Sequence, residues 1–239
     1  MITVILNGYR RGQYLAKQLN AIANQSLKPT EIMLWQNKAQ QLDSQLTAQT
    51  VWACCNQNLG VFARWAYALN AKTEYICMID DDTIPGNQWF QNCYDTMQVQ
   101  EGLLGTIGVI FKDTNNYHPN SRVGWANPNA TTERSDIVGH SWFFKREWLS
   151  TFWRELPRVE SQITGDDFHF AYMLQKHRGL NCYVPPHPPS KQQLWGSLPE
   201  TGWSIGQDSA AISMNPANVL KMQSDYEYYI RSGFKILNE

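Results

Sequence analysis

The chain has 239 residues, 43% hydrophobic and 13% aromatic, enough to bury the core of one large domain or a domain with an appendage, and too much for a disordered segment. Twenty Lys and Arg against 21 Asp and Glu leave a formal net charge of −1, and no basic run marks a nucleic-acid or anionic-membrane surface. Five cysteines (Cys54, Cys55, Cys77, Cys93, Cys182), odd in number and without Cys-x-x-Cys spacing, argue against a disulfide framework and a zinc site; with no stretch of membrane-spanning length, the chain reads as a soluble protein of a reducing compartment, the cytoplasm.

Thr3 to Leu6 is a short β-rich run, followed by the polar loop Asn7-Gly8-Tyr9-Arg10-Arg11-Gly12. Leu15, Leu19, Ile22 and Ala23 then repeat at helical spacing until Ser26-Leu27-Lys28-Pro29 breaks the pattern, and Glu31 to Trp35 reads as a second strand. This is a βαβ unit, parallel and right-handed, which places Arg10, Arg11, Gln36 and Asn37 on one sheet edge. The glycines do not match Gly-x-Gly-x-x-Gly, so a dinucleotide fingerprint is absent. Residues 38 to 57 are polar and Gln-rich and read as a helix plus a connection. Asn58-Leu59-Gly60 precedes Val61, Phe62, Trp65 and Leu69, an amphipathic helix with Arg64 on its flank, and the commoner fate of such an arginine is to snorkel at the surface.

Tyr75 to Ile79 is an apolar run that ends in Asp80-Asp81-Asp82, and Pro85-Gly86 turns the chain. Three adjacent acids at a strand exit repel one another unless a cation or hydrogen-bond donors compensate them. In open α/β sheets that edge binds ligands, and hard cations such as Mg²⁺ or Mn²⁺ take carboxylates together with substrate phosphates; a solvated acidic turn is the plainer alternative. Trp89 to Val99 looks helical and Thr106 to Phe111 is a strand. Residues 112 to 135, dense in Asn, Pro and Gly, read as a long loop that could serve as a lid.

Ile137 to Phe144 reads as a strand with Gly139 in its interior, which suggests a close approach of backbone or ligand. Asp166-Asp167 open a helix through His177, where acids favour the macrodipole whatever else they do. A strand from Leu180 to Val184 leads into Pro185-Pro186-His187-Pro188-Pro189, whose rigid histidine could be a metal ligand or a loop residue. A loop region with Trp195 and Trp203 follows, then a terminal helix from Pro216 through Tyr229. There is no internal repeat and no clean linker.

Taken in that order, the strands, helices and two acid clusters resemble a GT-A glycosyltransferase over about residues 2 to 190. The chain looks like the family-2 nucleotide-sugar transferases and is similar in part to exostosin-like transferases at Tyr9-x-Arg11, Trp35-Gln36-Asn37 and Asp80-Asp81-Asp82-Thr83; within that span it looks closest to small glycosyltransferase domains of large algal viruses. The resemblance implies an α/β fold, with a mixed, mainly parallel sheet flanked by helices in a GT-A domain over residues 1–190, and residues 191–239 as a C-terminal loop and helix packed on it. It also implies a metal-dependent transferase using Mn²⁺ or Mg²⁺, a nucleotide-sugar donor (a UDP-sugar, and from the viral likeness UDP-rhamnose) and a glycan acceptor.

Carried over by position, Asp80-Asp81-Asp82 matches the Asp-x-Asp motif, with Asp82 on the metal and Asp80 towards the ribose. Gly8, Tyr9, Arg11, Gln36, Asn37, Asn58, Arg64 and Asp81 fall around the nucleotide. Asp167, with Asp166, matches the Glu-Asp signature at the acceptor side, as general base if the enzyme inverts or as stabiliser of an oxocarbenium-like centre if it retains. His187 sits where many GT-A enzymes supply a late metal-binding histidine, and His140 and Trp142 are the candidates for the acceptor. Two departures stand out: Asp166 replaces the usual Glu, and the second strand's exit lacks the Asp that many family-2 enzymes turn towards uracil. A haloacid-dehalogenase-like phosphatase with Asp80 as nucleophile, and a non-catalytic glycan-binding protein, are the competing readings.

Overall fold

In the computed structural model, which describes residues 1–38, 42–125, 127–158, 163–201, 205–208 and 211–239, the sheet is laid out around β1 (Ile2–Gly8). Residues 2–6 of that strand are all buried, the mark of a strand covered on both faces. It pairs in parallel with β2 (Glu31–Gln36) on one side and with β4 (Tyr75–Ile79) on the other, and β3 (Val51–Cys54) adds in parallel beyond β2. The exits of these four strands therefore share one edge.

Beyond β4 the sheet turns mixed. β8 (Ile137–Lys145) runs antiparallel between β4 and β5 (Leu103–Phe111), β9 (Cys182–Val184) is parallel to β5, and β7 (Glu133–Ser135) closes the far edge. The order is β3-β2-β1-β4-β8-β5-β9-β7, with β6 (Pro119–Gly124) paired to β5 off that path.

Helix α1 (Leu15–Ala23) joins β1 to β2 and buries Leu15, Leu19 and Ile22, one face at helical spacing. Short helices α2 (Ser44–Thr47), α3 (Phe62–Tyr67) and α5 (Leu149–Phe152) and the longer α4 (Trp89–Val99) complete the layers before α6 (Asp166–Arg178). Residues 168–174 of α6 are all buried, because the sheet side packs one face and α7 (Pro216–Arg231) covers another through Tyr226 and Tyr229. Trp65 stacks on Phe152 at 4.8 Å and meets Phe170 edge-on at 5.1 Å, which fixes α3 against α5 and α6. Phe234 and Ile236, after α7, enter the same hydrophobic core as β1.

The structure departs from the sequence expectations in two places. Residues 38 to 57 hold α2 and the edge strand β3 rather than one helix, with 39–41 outside the described residues. The presumed loop 112–135 contains β6 and β7, so it is sheet edge rather than a free lid. Trp203 also lies outside the described residues. All five cysteines are free thiols, and among the described residues no helix is long and apolar enough to cross a membrane.

Candidate active site

Asp80 directly follows β4, and its N–H donates to His140 O at 3.0 Å, so the acidic turn is tied to β8 as soon as it leaves the strand. Gln18, buried on α1, donates to Asp80 O (2.7 Å) and Thr83 O (3.0 Å) and holds the rest of the turn. The three acids then separate. Asp81 accepts from Tyr9 N (3.1 Å) and from Arg11 Nη1 (3.0 Å). Asp82 accepts from Arg11 Nη1 (3.0 Å) and from the Thr83 hydroxyl (3.1 Å). Asp80 pairs with Arg64 Nη1.

Arg64 overturns the surface expectation. It is 8% exposed, donates to Asp166 Oδ2 from Nε (3.2 Å) and Nη2 (2.6 Å), and lies 4.5 Å over the Trp142 ring. Trp65 Nε1 reaches the same Asp166 oxygen at 2.7 Å. Burial works against the Arg64 cation, but Asp166 and Asp80 outweigh it and raise its pKa. The guanidinium thus bridges the acid turn to the start of α6.

Asp80, Asp82 and His140 each offer one donor atom, all within 4.8 Å of one another. His140 Nδ1 is shielded from solvent, has no hydrogen-bond partner, and lies 3.6 Å from Asp82 Oδ1. Its backbone has φ +65°, a left-handed conformation that a non-glycine residue adopts only when its surroundings enforce it. Burial disfavours the His140 cation, but Asp82 outweighs that and raises its pKa; burial likewise disfavours the Asp82 carboxylate, and His140 and Arg11 outweigh it and lower its pKa. Two carboxylates and an orphaned imidazole nitrogen fit a divalent cation, and the oxygen-rich set suits Mn²⁺ or Mg²⁺.

Tyr9, Arg10, Arg11, Asn37, Asn58, Arg64, the three acids and Asp167 line one open cleft of about 500 Å³. Asn37 and Asn58 form a fixed corner: Asn37 Nδ2 donates to Asn58 Oδ1 (2.8 Å) and Gly60 O (3.1 Å), and Asn58 Nδ2 reaches the Tyr9 hydroxyl (3.3 Å). Across the cleft Asp167 sits in the first turn of α6, entered through Gly165 at φ +88°, where a Cβ would come within 2.7 Å of Asp225 Oδ2. Burial, followed by the charge of Asp166, pushes the Asp167 carboxyl up to about 7.

Four sequence assignments are corrected. His187 is fully buried away from the acids; Nδ1 donates to Pro185 O (2.7 Å), Nε2 accepts from Gly196 N (3.1 Å), and burial pushes its pKa down to about 4. With both nitrogens committed it is a packing residue between Trp89 and Trp195, and His140 stands where a histidine ligand was sought. Gln36 is buried and accepts from Trp52 Nε1 (3.2 Å), and Gly8 packs against it, so neither lines the cleft. Trp142 is 3% exposed, with Nε1 donating to Val138 O (2.8 Å); it supports Arg64 instead of offering a free ring. Sequence reasoning missed Gln18, Tyr117 and Asp208, which bonds Arg11 from the C-terminal segment through Nε (3.1 Å) and Nη2 (2.6 Å). Nothing in the local sequence flags them.

Residues 53–170 match the family described as Glycosyl transferase family 2. Among solved structures, residues 1–349 of S. aureus TarS superpose with a TM-score of 0.52 at 14% identity, over 77% of this chain and 60% of that one. The same protein in complex with UDP-GlcNAc gives 0.52 and 14% over 80% and 60%. The chain therefore spans about 60% of the length of those structures, and at this identity the likeness carries the fold alone. No curated protein matches. The fold is GT-A, and the phosphatase reading loses its basis, because the strand before Asp80 lies inside a parallel set instead of opening the sheet.

Proposed function

We propose that this chain, which carries a GT-A glycosyltransferase domain of the family-2 kind, moves a sugar from a nucleotide donor to a glycan hydroxyl. The observation that carries this reading is the cleft itself, where a cation-binding set of Asp80, Asp82 and His140 faces Asp167, a carboxyl whose pKa lies near neutrality. A base tuned to the working pH is what deprotonation of a sugar hydroxyl needs.

Asp80, Asp82 and His140 hold Mn²⁺ or Mg²⁺, which when bound acts as a Lewis acid on the leaving diphosphate. The Tyr9, Asn37 and Asn58 corner takes the base, and Arg11 adds its charge to the diphosphate side. Arg64 does not reach the phosphates in this role, because all three of its nitrogens are spent on Asp80 and Asp166; it holds the acid turn and α6 in register. Asp167 takes the proton of the attacking hydroxyl, the part expected of an inverting enzyme. TarS has been seen with UDP and UDP-GlcNAc, which supports a uridine donor here. UDP-rhamnose joins UDP-hexoses in the first screen on the strength of the sequence resemblance.

Calorimetric titration of UDP, GDP and dTDP, with Mn²⁺ and then with EDTA, tests the proposal. One nucleotide should bind tightly with metal and lose that affinity in EDTA and in Asp82→Asn. Absence of nucleotide binding, or glycan binding indifferent to EDTA and to Asp82→Ala, would instead favour a non-catalytic glycan-binding protein.

A further inference from the structure

Past Asp167 the cleft continues into a second half that the nucleotide residues do not reach. Its wall includes Tyr117 between β5 and β6, Thr164 before α6, and Ile212, Asn215, Asn218 and Met222 at the entry to and along α7. Among the described lining residues no Lys or Arg stands here; the cations of the cleft, Arg10, Arg11 and Arg64, belong to the nucleotide side. Arg11 and Arg64 are already bonded to carboxylates. The positions outside the described residues hold only Ala, Gln, Val, Glu, Ser, Gly and Trp, so the sequence hides no further cation there. Nearby Arg158 is engaged by Ser224 and Asp225.

What this half does offer is neutral. Tyr117 is fixed by its N–H to Gln223 Oε1 (2.7 Å) and by ring contacts to Phe168 and Tyr226. Burial and then the Asp167 charge push its hydroxyl up to about 12, so it stays protonated beside the base. Asn215 spends Oδ1 on capping α7 at Ala217 N (3.0 Å), and Asn218 spends Nδ2 on Ile212 O (3.2 Å). That leaves an amide donor on one and an amide acceptor on the other without partners among the described residues. An aromatic face, a thioether and two amides fit the apolar face and the hydroxyls of a sugar ring. A phosphate or carboxylate brought here would face Asp167 with no compensating cation.

We propose that this half seats the acceptor and selects an uncharged sugar: the ring lies against Tyr117 and Met222, its hydroxyls meet Asn215 and Asn218, and acceptors with an anionic group beside the attacked hydroxyl are rejected. The inference rests on the glycosyltransferase reading. It is tested with the full chain, Mn²⁺ and the donor identified by titration, following nucleotide release in the presence of a pool of neutral oligosaccharides or a pool bearing uronate or phosphate. The neutral pool should accelerate release at least about tenfold more than the acidic pool, given the strength of unscreened like-charge repulsion at short range. Tyr117→Ala should raise the acceptor KM at least about fivefold, the loss of one ring contact, with the donor KM moving less than about twofold. Asn218→Lys, on a half-buried position that should tolerate it, should shift preference towards the acidic pool. Preference of the unaltered chain for the acidic pool, acceleration by neither pool, or an acceptor KM that ignores both substitutions would overturn the inference. Failure of the glycosyltransferase reading shows separately, as absence of metal-dependent nucleotide binding.

Discussion

Arg11 reaches the acid turn with one nitrogen and the C-terminal segment with the other two. Nη1 donates to Asp81 and Asp82, both at 3.0 Å, while Nε and Nη2 donate to Asp208 at 3.1 and 2.6 Å. With all three nitrogens engaged, a donor diphosphate gains the forked face of Arg11 only by displacing Asp208. The Asp208 side chain is 42% exposed, so solvent screens the pair and its worth is about 1 kcal/mol, the upper end for exposed ion pairs. Asp208→Asn keeps the shape and removes the charge. That should relieve the competition and tighten UDP binding in Mn²⁺ by about fivefold, the equivalent of ~1 kcal/mol. Calorimetry at low salt reads the change directly, and the gap should narrow towards ~1 M salt as the pair is screened. Unchanged or weaker UDP binding by Asp208→Asn would refute the reasoning and make Asp208 a supporting residue instead of a competitor.

Other substitutions separate the remaining roles. Because Asp167 must be ionised to act and its pKa is up to about 7, turnover should rise with pH up to that value and level off above it, and a flat profile between pH 6 and 8 would count against it as the base. Asp167→Asn should cost about 10²–10⁴ in kcat with little change in UDP affinity. His140→Ala should weaken Mn²⁺ binding at least about tenfold, whereas His187→Gln should leave Mn²⁺ affinity alone and lower stability by ~1–3 kcal/mol through its two buried hydrogen bonds, read by urea unfolding. Gly165→Ala, at φ +88° and against Asp225, should cost ~1–3 kcal/mol, a fall in Tm of roughly 2–12 °C for a chain of this size.

The parts of the fold legible in the sequence were those with a strong local pattern. Tyr75–Ile79 and Trp89–Val99 fall where apolar runs and helical spacing put them, and the parallel β1-α1-β2 unit follows from the same patterns. β3 was missed because Val51 and Trp52 are 51% and 49% exposed on an edge strand, which has no buried alternation to show. β6 was hidden by Pro119, Asn120 and Gly124, residues that read as turns but are tolerated beside a single neighbouring strand.

The site divides in the same way. The acid turn and the Asp166-Asp167 pair were visible because consecutive carboxylates need compensation. The compensating cations were harder to place: Arg64 meets Asp166 across 102 residues of sequence, and Arg11 meets Asp208 across 197. His140 was passed over as a metal ligand for His187, whose proline setting suggested rigidity. The difference lies in strand pairing: β8 runs antiparallel to β4 with Ser141 opposite Ile79, which brings His140 beside Asp80. No local pattern reports which distant strand will lie next to β4.

The central claim is that Asp80, Asp82 and His140 form the cation site of a nucleotide-sugar transferase. Anomalous diffraction from crystals grown with Mn²⁺ and UDP tests it most directly. The account predicts one manganese peak coordinated by that set, with the UDP diphosphate against it and the uracil at the Tyr9, Asn37 and Asn58 corner. Manganese bound elsewhere, or UDP ordered in the cleft with no metal at these three residues, would contradict it.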